Sequence, residues 1–319
     1  MSMTPENARS RAAVELVRCN LCGADDARLL FPSTIPYHLD GHWEPFRCTH
    51  AGYGEHLDIV QCRRCGLRYS NPRFTEREIL ARYAQVEDPT YLEQFPGRLL
   101  TFQRRLQHFE RFAGAPAGRR LLDVGAYAGA CVRVAGERGW DAFGLEPGRW
   151  AVAQAQRAGL DVRLGTLDSA PPDPGSVDVI TLWDVIEHFA DPHAELCAVA
   201  HALKPGGWAV VHTMDSSSLF ARLMGRRWPW LLEMHLYYFD RRTLTAMLEK
   251  AGFEVVHIFA EGRYLRLNYL VTRVEPYSRL VARLLAWAIA KLGIEERAVP
   301  VNFGDLMTVY ARKRPDAAP

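Results

Sequence analysis

The chain has almost no net charge: 39 Lys and Arg against 37 Asp and Glu leave +2 over 319 residues. No overall field of one sign is available to gather nucleic acid or acidic partners, so nucleic acid is not the expected partner, although a local basic patch stays compatible with this balance. Lysine is nearly missing, with Lys204, Lys250, Lys291 and Lys313 the only ones. Long hydrophobic runs are missing too. The longest helix-like apolar stretch, Leu280 to Ile294, is broken by Arg283 and Lys291 and is too short to span a bilayer. The first residues, MSMTPENARSRAAVELVRC, hold no apolar core of signal-peptide type. The expected location is therefore the cytoplasm, where disulfides are rare and paired cysteines point towards metal. What the chain does have is 48% hydrophobic and 24% charged residues, enough for a sizeable core, and a length that suggests two units.

Residues 1–73 are rich in Cys, His and turn residues and poor in regular periodicity, which predicts a small metal-stapled module. Thr75-Glu76-Arg77-Glu78 offers a capping box for a helix carrying Ile79, Leu80 and Tyr83. Leu99, Phe102, Leu106 and Phe109 form one stripe of a second helix, Arg98 to Phe112, ended by Gly114-Ala115-Pro116. Residues 74–114 thus read as a helical connector or cap. From residue 115 to 319 short apolar runs alternate with helical segments. RRLLDV, DAFGLE, DVRL, VDVITLW, GWAVVHT, FEVVHIF and DLMTVYARK are the seven candidate strands, a pattern that argues a parallel sheet covered by helices on both faces. An insertion at about 261–304 separates the last two and is long enough to carry its own structure.

Cys19-Asn-Leu-Cys22-Gly23 and Cys62-Arg-Arg-Cys65-Gly66 are two knuckles of the same form, 39 residues apart. Each turn aims two thiolates at one point, and four thiolates suit tetrahedral Zn2+; the metal ligands expected are Cys19, Cys22, Cys62 and Cys65, in a closed structural site. Cys48, His38, His42, His50 and His56 lie in the intervening loop at spacings that match no compact metal motif.

Leu121-Leu122-Asp123-Val124-Gly125-Ala126-Tyr127-Ala128-Gly129 sets an acid and two glycines where the first parallel strand turns into a helix. A dinucleotide fingerprint would require G-x-G-x-x-G, which Tyr127 and Ala130 interrupt. Glu146 ends the next strand, 23 residues after Asp123, placed to accept two ribose hydroxyls. These features together describe a nucleoside site without a phosphate requirement. The segment resembles the class I S-adenosylmethionine-dependent methyltransferases: Asp123, Gly125 and Gly129 match their acidic-glycine signature, and Glu146 matches their ribose-binding acid. Trp183-Asp184-Val185-Ile186-Glu187-His188-Phe189 with Asp191-Pro192 looks like the segment after their fourth strand, and Leu203-Lys204-Pro205-Gly206-Gly207 like the turn before their fifth. The resemblance implies a doubly wound, seven-stranded Rossmann-like α/β sheet ending in an antiparallel hairpin, preceded here by a small zinc-ribbon-like module. It implies S-adenosyl-L-methionine as cofactor. Two positions depart from the family: its central glycine is Tyr127, and the acid that often meets the adenine amine is Thr166, leaving Thr166 or the backbone of Leu167 to hold adenine. Trp183 and Asp184 join the expected cofactor contacts. Cys62-Arg-Arg-Cys65-Gly66-Leu67 with Asn71-Pro72-Arg73 resembles a zinc module fused to such enzymes in sugar and natural-product pathways.

Methyl transfer from a sulfonium is an in-line displacement, in which the protein positions the acceptor and excludes water. An alcohol acceptor also needs a base, and histidine is the natural candidate. His188 follows the fourth strand; His235 lies in an aromatic and cationic segment, residues 220–239, after the fifth. The expectation is a small-molecule methyltransferase, O-methylating a sugar or natural-product intermediate, with C- or N-methylation still open. An RNA-directed protein and a non-catalytic cofactor-binding scaffold are the competing readings.

Overall fold

The computed structural model describes residues 14–37, 46–50 and 53–315; His38 and His42 lie outside them. In chain order the N-terminal part holds β1 (Val14–Glu15), β2 (Ala27–Phe31), β3 (Ile59–Cys62), β4 (Arg68–Ser70), β5 (Arg73–Phe74), α1 (Glu76–Tyr83), α2 (Pro89–Glu93) and α3 (Phe95–Ala113). Alternation begins with β6 (Arg120–Val124), α4 (Ala130–Glu137), β7 (Asp141–Glu146), α5 (Arg149–Arg157), β8 (Val162–Leu164), β9 (Val177–Trp183), α6 (Pro192–Ala202) and β10 (Leu203–Met214). The chain continues through α7 (Leu219–Met224), β11 (Tyr237–Tyr238), α8 (Arg241–Lys250), β12 (Phe253–Ala260), β13 (Arg263–Arg266), α9 (Leu267–Val274), α10 (Arg279–Leu292), β14 (Ala298–Val301) and β15 (Leu306–Lys313).

The main sheet has the order β12-β15-β10-β9-β6-β7-β8. β6 to β10 run parallel, while β15 pairs antiparallel with both β10 and β12. This is the doubly wound, seven-stranded sheet ending in an antiparallel hairpin that the resemblance implied. Strands such as Val177–Trp183 read as nearly continuous apolar runs because helices cover both faces. The order reverses beside β6, whose neighbours are β7 and β9, and ligands in open α/β sheets bind outside the carboxyl ends of strands at that switch.

Local signals explain most helix limits. Leu106 and Phe109 of α3 are fully buried against the sheet, and Gly114 ends the helix at φ 80°. α2 carries an aspartate cap and a proline in its first turn, Asp88-Pro89, a start signal that sequence reading passed over. Thr75 does begin α1, but its side chain makes no capping bond and its buried hydroxyl has no partner, so the expected capping box does not form. α10 is largely exposed. Only Ala282 is buried, while Leu280 and Trp287 are 69% and 63% exposed, because the helix packs chiefly on α9 and hangs outside the sheet.

The cysteine-bearing part is stitched to the rest. Its antiparallel sheet has the order β11-β4-β3-β2, so the fourth strand comes from residues 237–238. The Ser70 N–H donates to the Leu236 carbonyl at 2.8 Å, and the Ser70 hydroxyl to the His235 carbonyl at 3.2 Å. One contiguous core runs from Cys19, Leu67 and Tyr69 through Tyr237 and Phe239 to Leu122 and Val211.

Candidate active site

The glycine loop follows β6. Gly125 has φ 69°, and a Cβ there would stand 2.6 Å from a Val185 methyl; Gly129 has φ 79°, and a Cβ would stand 2.7 Å from Leu160. Only glycine fits either position without displacement. Tyr127 also adopts a positive φ, 48°, and does not close the loop. Its N–H donates to Glu146 Oε2 at 2.9 Å, while the Gly148 N–H donates to Oε1 at 2.7 Å. Each carboxylate oxygen is thereby anchored and keeps a free lone pair, the arrangement a ribose diol needs. Asp123 accepts from the Thr181 hydroxyl at 2.6 Å. Burial raises Asp123 and Glu146 each to about 7.

α2 and α3 roof this loop with residues that no local pattern marked. Tyr91 lies 4.2 Å from the Tyr127 ring, centroid to centroid, and the Arg98 guanidinium stacks 3.7 Å over Tyr91. Among the described residues, the hydroxyls of Tyr83 and Tyr127, Gln94 Oε1 and Arg98 Nε are buried without a hydrogen-bond partner. Such groups require a partner, and a cofactor carrying hydroxyls, a carboxylate and an amine supplies several. Cys48 retains accessible surface while surrounding protein pushes its thiol up to about 12, with Arg98, Asp88, Glu146 and Asp184 in electrostatic reach.

The other expected cofactor residues divide. Asp184, at φ 58°, is bound by Arg263 at 2.9 Å, and neighbouring cations hold its carboxyl below the usual range against burial. Arg263 comes from β13, so the insertion reaches the strand ends. Trp183 packs beneath α3, against Phe102 and Arg105, and its indole N–H is buried without a partner among the described residues. Thr166 is engaged with Ser169, which accepts the Thr166 N–H at 2.9 Å, so its side chain closes a local turn. Leu167 is buried in the core.

Beyond β9 the structure brings together His188 and His235, 47 residues apart, with ring centroids 4.9 Å apart. His188 Nδ1–H donates to the Met234 carbonyl at 2.9 Å, and His235 Nδ1–H to the Trp230 carbonyl at 2.8 Å. With Nδ1 protonated, each neutral ring presents an unshared Nε2 lone pair. Burial lowers both imidazoles, His235 to about 3. Glu187 stands beside them, 1% exposed, with the Thr213 hydroxyl donating to Oε2 at 2.9 Å. Surface clefts on the outer side of α3, lined by residues such as Arg104, Gln107 and His108, touch none of these groups.

At the opposite side of the small sheet the sulfurs of Cys19, Cys22, Cys62 and Cys65 all lie within 4.8 Å of one another. Cys19 and Cys65 are 3.4 Å apart and Cys22 and Cys62 3.5 Å, close to the roughly 3.8 Å edge of a tetrahedral site with 2.3 Å bonds. Gly23 and Gly66 fold each knuckle under at φ 73° and 83°. His56 instead donates from Nδ1 to the Leu57 carbonyl, and neither it nor Cys48 belongs to the cluster.

Residues 98–258 match the family described as methyltransferase domain, and the chain belongs to that family: it is an S-adenosylmethionine-dependent methyltransferase. Among its relatives, the ubiquinone biosynthesis O-methyltransferase of Bordetella bronchiseptica is 32% identical over 193 residues, covering 53% of this chain and 80% of that protein. The enzyme of the same name from Bordetella avium is 28% identical, covering 52% and 80%. A solved methyltransferase from Archaeoglobus fulgidus aligns at TM-score 0.48 with 19% identity, over 71% of this chain and all of that one.

Proposed function

We propose that the protein transfers the methyl group of S-adenosylmethionine to a hydroxyl of a small molecule, a sugar or natural-product intermediate. The observation that carries this reading is the histidine pair after β9, His235 buried and His188 half-buried, each bonded through Nδ1 to a carbonyl so that Nε2 is the ring nitrogen left to meet an acceptor. An amine acceptor needs no such groups, whereas a hydroxyl must lose its proton as its oxygen is methylated. Two relatives named as O-methyltransferases support the same acceptor atom.

In this reading Glu146 accepts the ribose hydroxyls and Gly125, Tyr127 and Gly129 shape the loop around the methionyl chain. Arg98 faces the cofactor carboxylate, Asp123 and Asp184 complete the polar lining, and the backbone at Leu167 meets adenine beside Thr166. His235 and His188 meet the acceptor hydroxyl. Attack on the sulfonium forms the C–O bond as the C–S bond breaks, leaving S-adenosylhomocysteine and one proton. Cys19, Cys22, Cys62 and Cys65 hold a structural zinc, which supplies folding energy and no chemistry. The units are 1–73, 74–114 and 115–319, with 261–304 inserted, and the setting is the cytoplasm. No helix among the described residues is long and apolar enough to cross a membrane.

The test has two arms. Titration must show S-adenosylhomocysteine binding to the wild type, and its absence would end the reading. A panel of hydroxylated sugars and phenols is then screened for a gain of one methyl by mass, and methylation confined to amines or carbon would move the acceptor atom.

A further inference from the structure

The two histidines and Glu187 share a feature that proton transfer alone does not explain. Glu187 is almost wholly buried, yet among the described residues no Lys, Arg or His forms an ion pair with it. Arg263, a cation within electrostatic reach, is already committed to Asp184 at 2.9 Å. A buried carboxylate without a counter-charge is costly. Its neighbours supply two neutral imidazoles rather than a cation, and a donor atom from each of the three side chains lies within 4.8 Å of the others.

All three donors are aimed from behind. Met234 and Trp230 carbonyls fix the Nδ1–H tautomers, and Thr213 Oγ1 holds one Glu187 oxygen, which leaves Nε2 of each ring and Oε1 as the atoms for a ligand, in a cluster whose donor atoms lie within 4.8 Å of one another. Metal-binding histidines are characteristically oriented by a carbonyl on the other ring nitrogen, and ligating carboxylates by a further hydrogen bond. Bonds of about 2.1 Å place adjacent octahedral ligands about 3.0 Å apart, so a modest contraction around an ion completes the set.

We propose that Glu187, His188 and His235 form a divalent-cation site of the two-histidine, one-carboxylate type, and that the acceptor's oxygen binds this cation. Imidazole with carboxylate suits Mn2+, Fe2+, Co2+ or Zn2+, and three protein ligands leave positions for oxygens of a phenol or a vicinal diol. The cation acidifies the bound hydroxyl, whose proton passes to water; the oxygen then takes the sulfonium methyl as the C–S bond breaks. This rests on the acceptor position proposed above and changes the role of the histidines from proton acceptors to ligands.

Mn2+ is the probe, because it prefers oxygen and nitrogen donors and leaves zinc on the four cysteines. Electron paramagnetic resonance titration of the full chain, with one zinc per chain verified by elemental analysis, should show one bound Mn2+. Glu187→Gln and His235→Ala should each weaken it at least ~10²-fold, and Thr213→Val about tenfold. Titration with S-adenosylhomocysteine checks that each variant is folded. Absence of Mn2+ binding, or binding that survives both Glu187→Gln and His235→Ala in folded protein, overturns the site. Failure of the wild type to bind S-adenosylhomocysteine with Mn2+ binding intact would instead remove the methyltransfer reading and leave the cation site standing.

Discussion

The cofactor half and the acceptor half of the site are built in opposite ways. Asp123, Gly125, Tyr127, Gly129 and Glu146 span 24 residues of one strand-loop-helix-strand unit, and Glu146 is anchored by the N–H groups of Tyr127 and Gly148 within it or two residues beyond it. The acceptor half draws Glu187 and His188 from the end of β9, His235 from a segment after α7, and Tyr83 from α1. His235 is in turn held through Ser70 by the small sheet that carries the cysteines. A local unit tolerates change elsewhere; an assembled one fails when any support goes.

This contrast is sharpest at the cysteine cluster. Cys62→Ser should have the largest effect, since structural zinc sites contribute on the order of 10 kcal/mol in small modules. The expected outcome is loss of one zinc per chain and a fall in the melting temperature of at least ~10 °C. Turnover should be lost even in conditions where S-adenosylhomocysteine still binds. Equal loss of both activities would break the distinction between the halves.

Glu146→Ala should weaken cofactor binding at least ~10²-fold by calorimetry, about 2.7 kcal/mol, since two charge-assisted hydrogen bonds are lost. His235→Ala makes the complementary cut: turnover down ~10²- to 10⁴-fold with the cofactor dissociation constant within about threefold. Unchanged turnover would take His235 out of the mechanism and leave His188.

Cofactor affinity should also respond to pH. Burial raises Glu146 to about 7, and its protonated form accepts ribose hydroxyls less well, so affinity should fall as pH drops through 7. The loss approaches tenfold per unit below that value and is absent in Glu146→Gln. For stability the sign is reversed. The folded protein holds the Glu146 and Asp123 protons up to about 7, where the unfolded chain has released them near 4. Their contribution therefore diminishes as pH rises from 4 to 7, which thermal melts of ligand-free protein can follow. Thr166→Ala should do least: its hydroxyl is engaged with Ser169, and cofactor affinity should stay within about threefold.

Sequence reading went far because its signals were local. Asp123 to Gly129 is a strand end and a turn whose glycines are required by nearby backbone, Glu146 is separated from it by one helix, and each cysteine knuckle spans four residues. The alternation of apolar runs likewise marked all seven strands of the main sheet. Arg98 and Tyr91 escaped notice because nothing in a helix pattern distinguishes a cation that will stack over a cofactor loop from one that faces water. Arg263 was hidden inside an insertion with no motif.

The amino-acid sequence thus determined the sheet, the glycine loop, the place of Glu146 at a strand end and the four paired cysteines, all set by periodicity, turn chemistry and short spacing. Tertiary structure decided that β11 completes the cysteine-bearing sheet, that Arg263 occupies Asp184, and that Glu187, His188 and His235 converge with their lone pairs free. Those facts depend on contacts between segments tens to hundreds of residues apart. Such contacts are selected by burial and by hydrogen-bond completion across the whole core, and no local pattern encodes them.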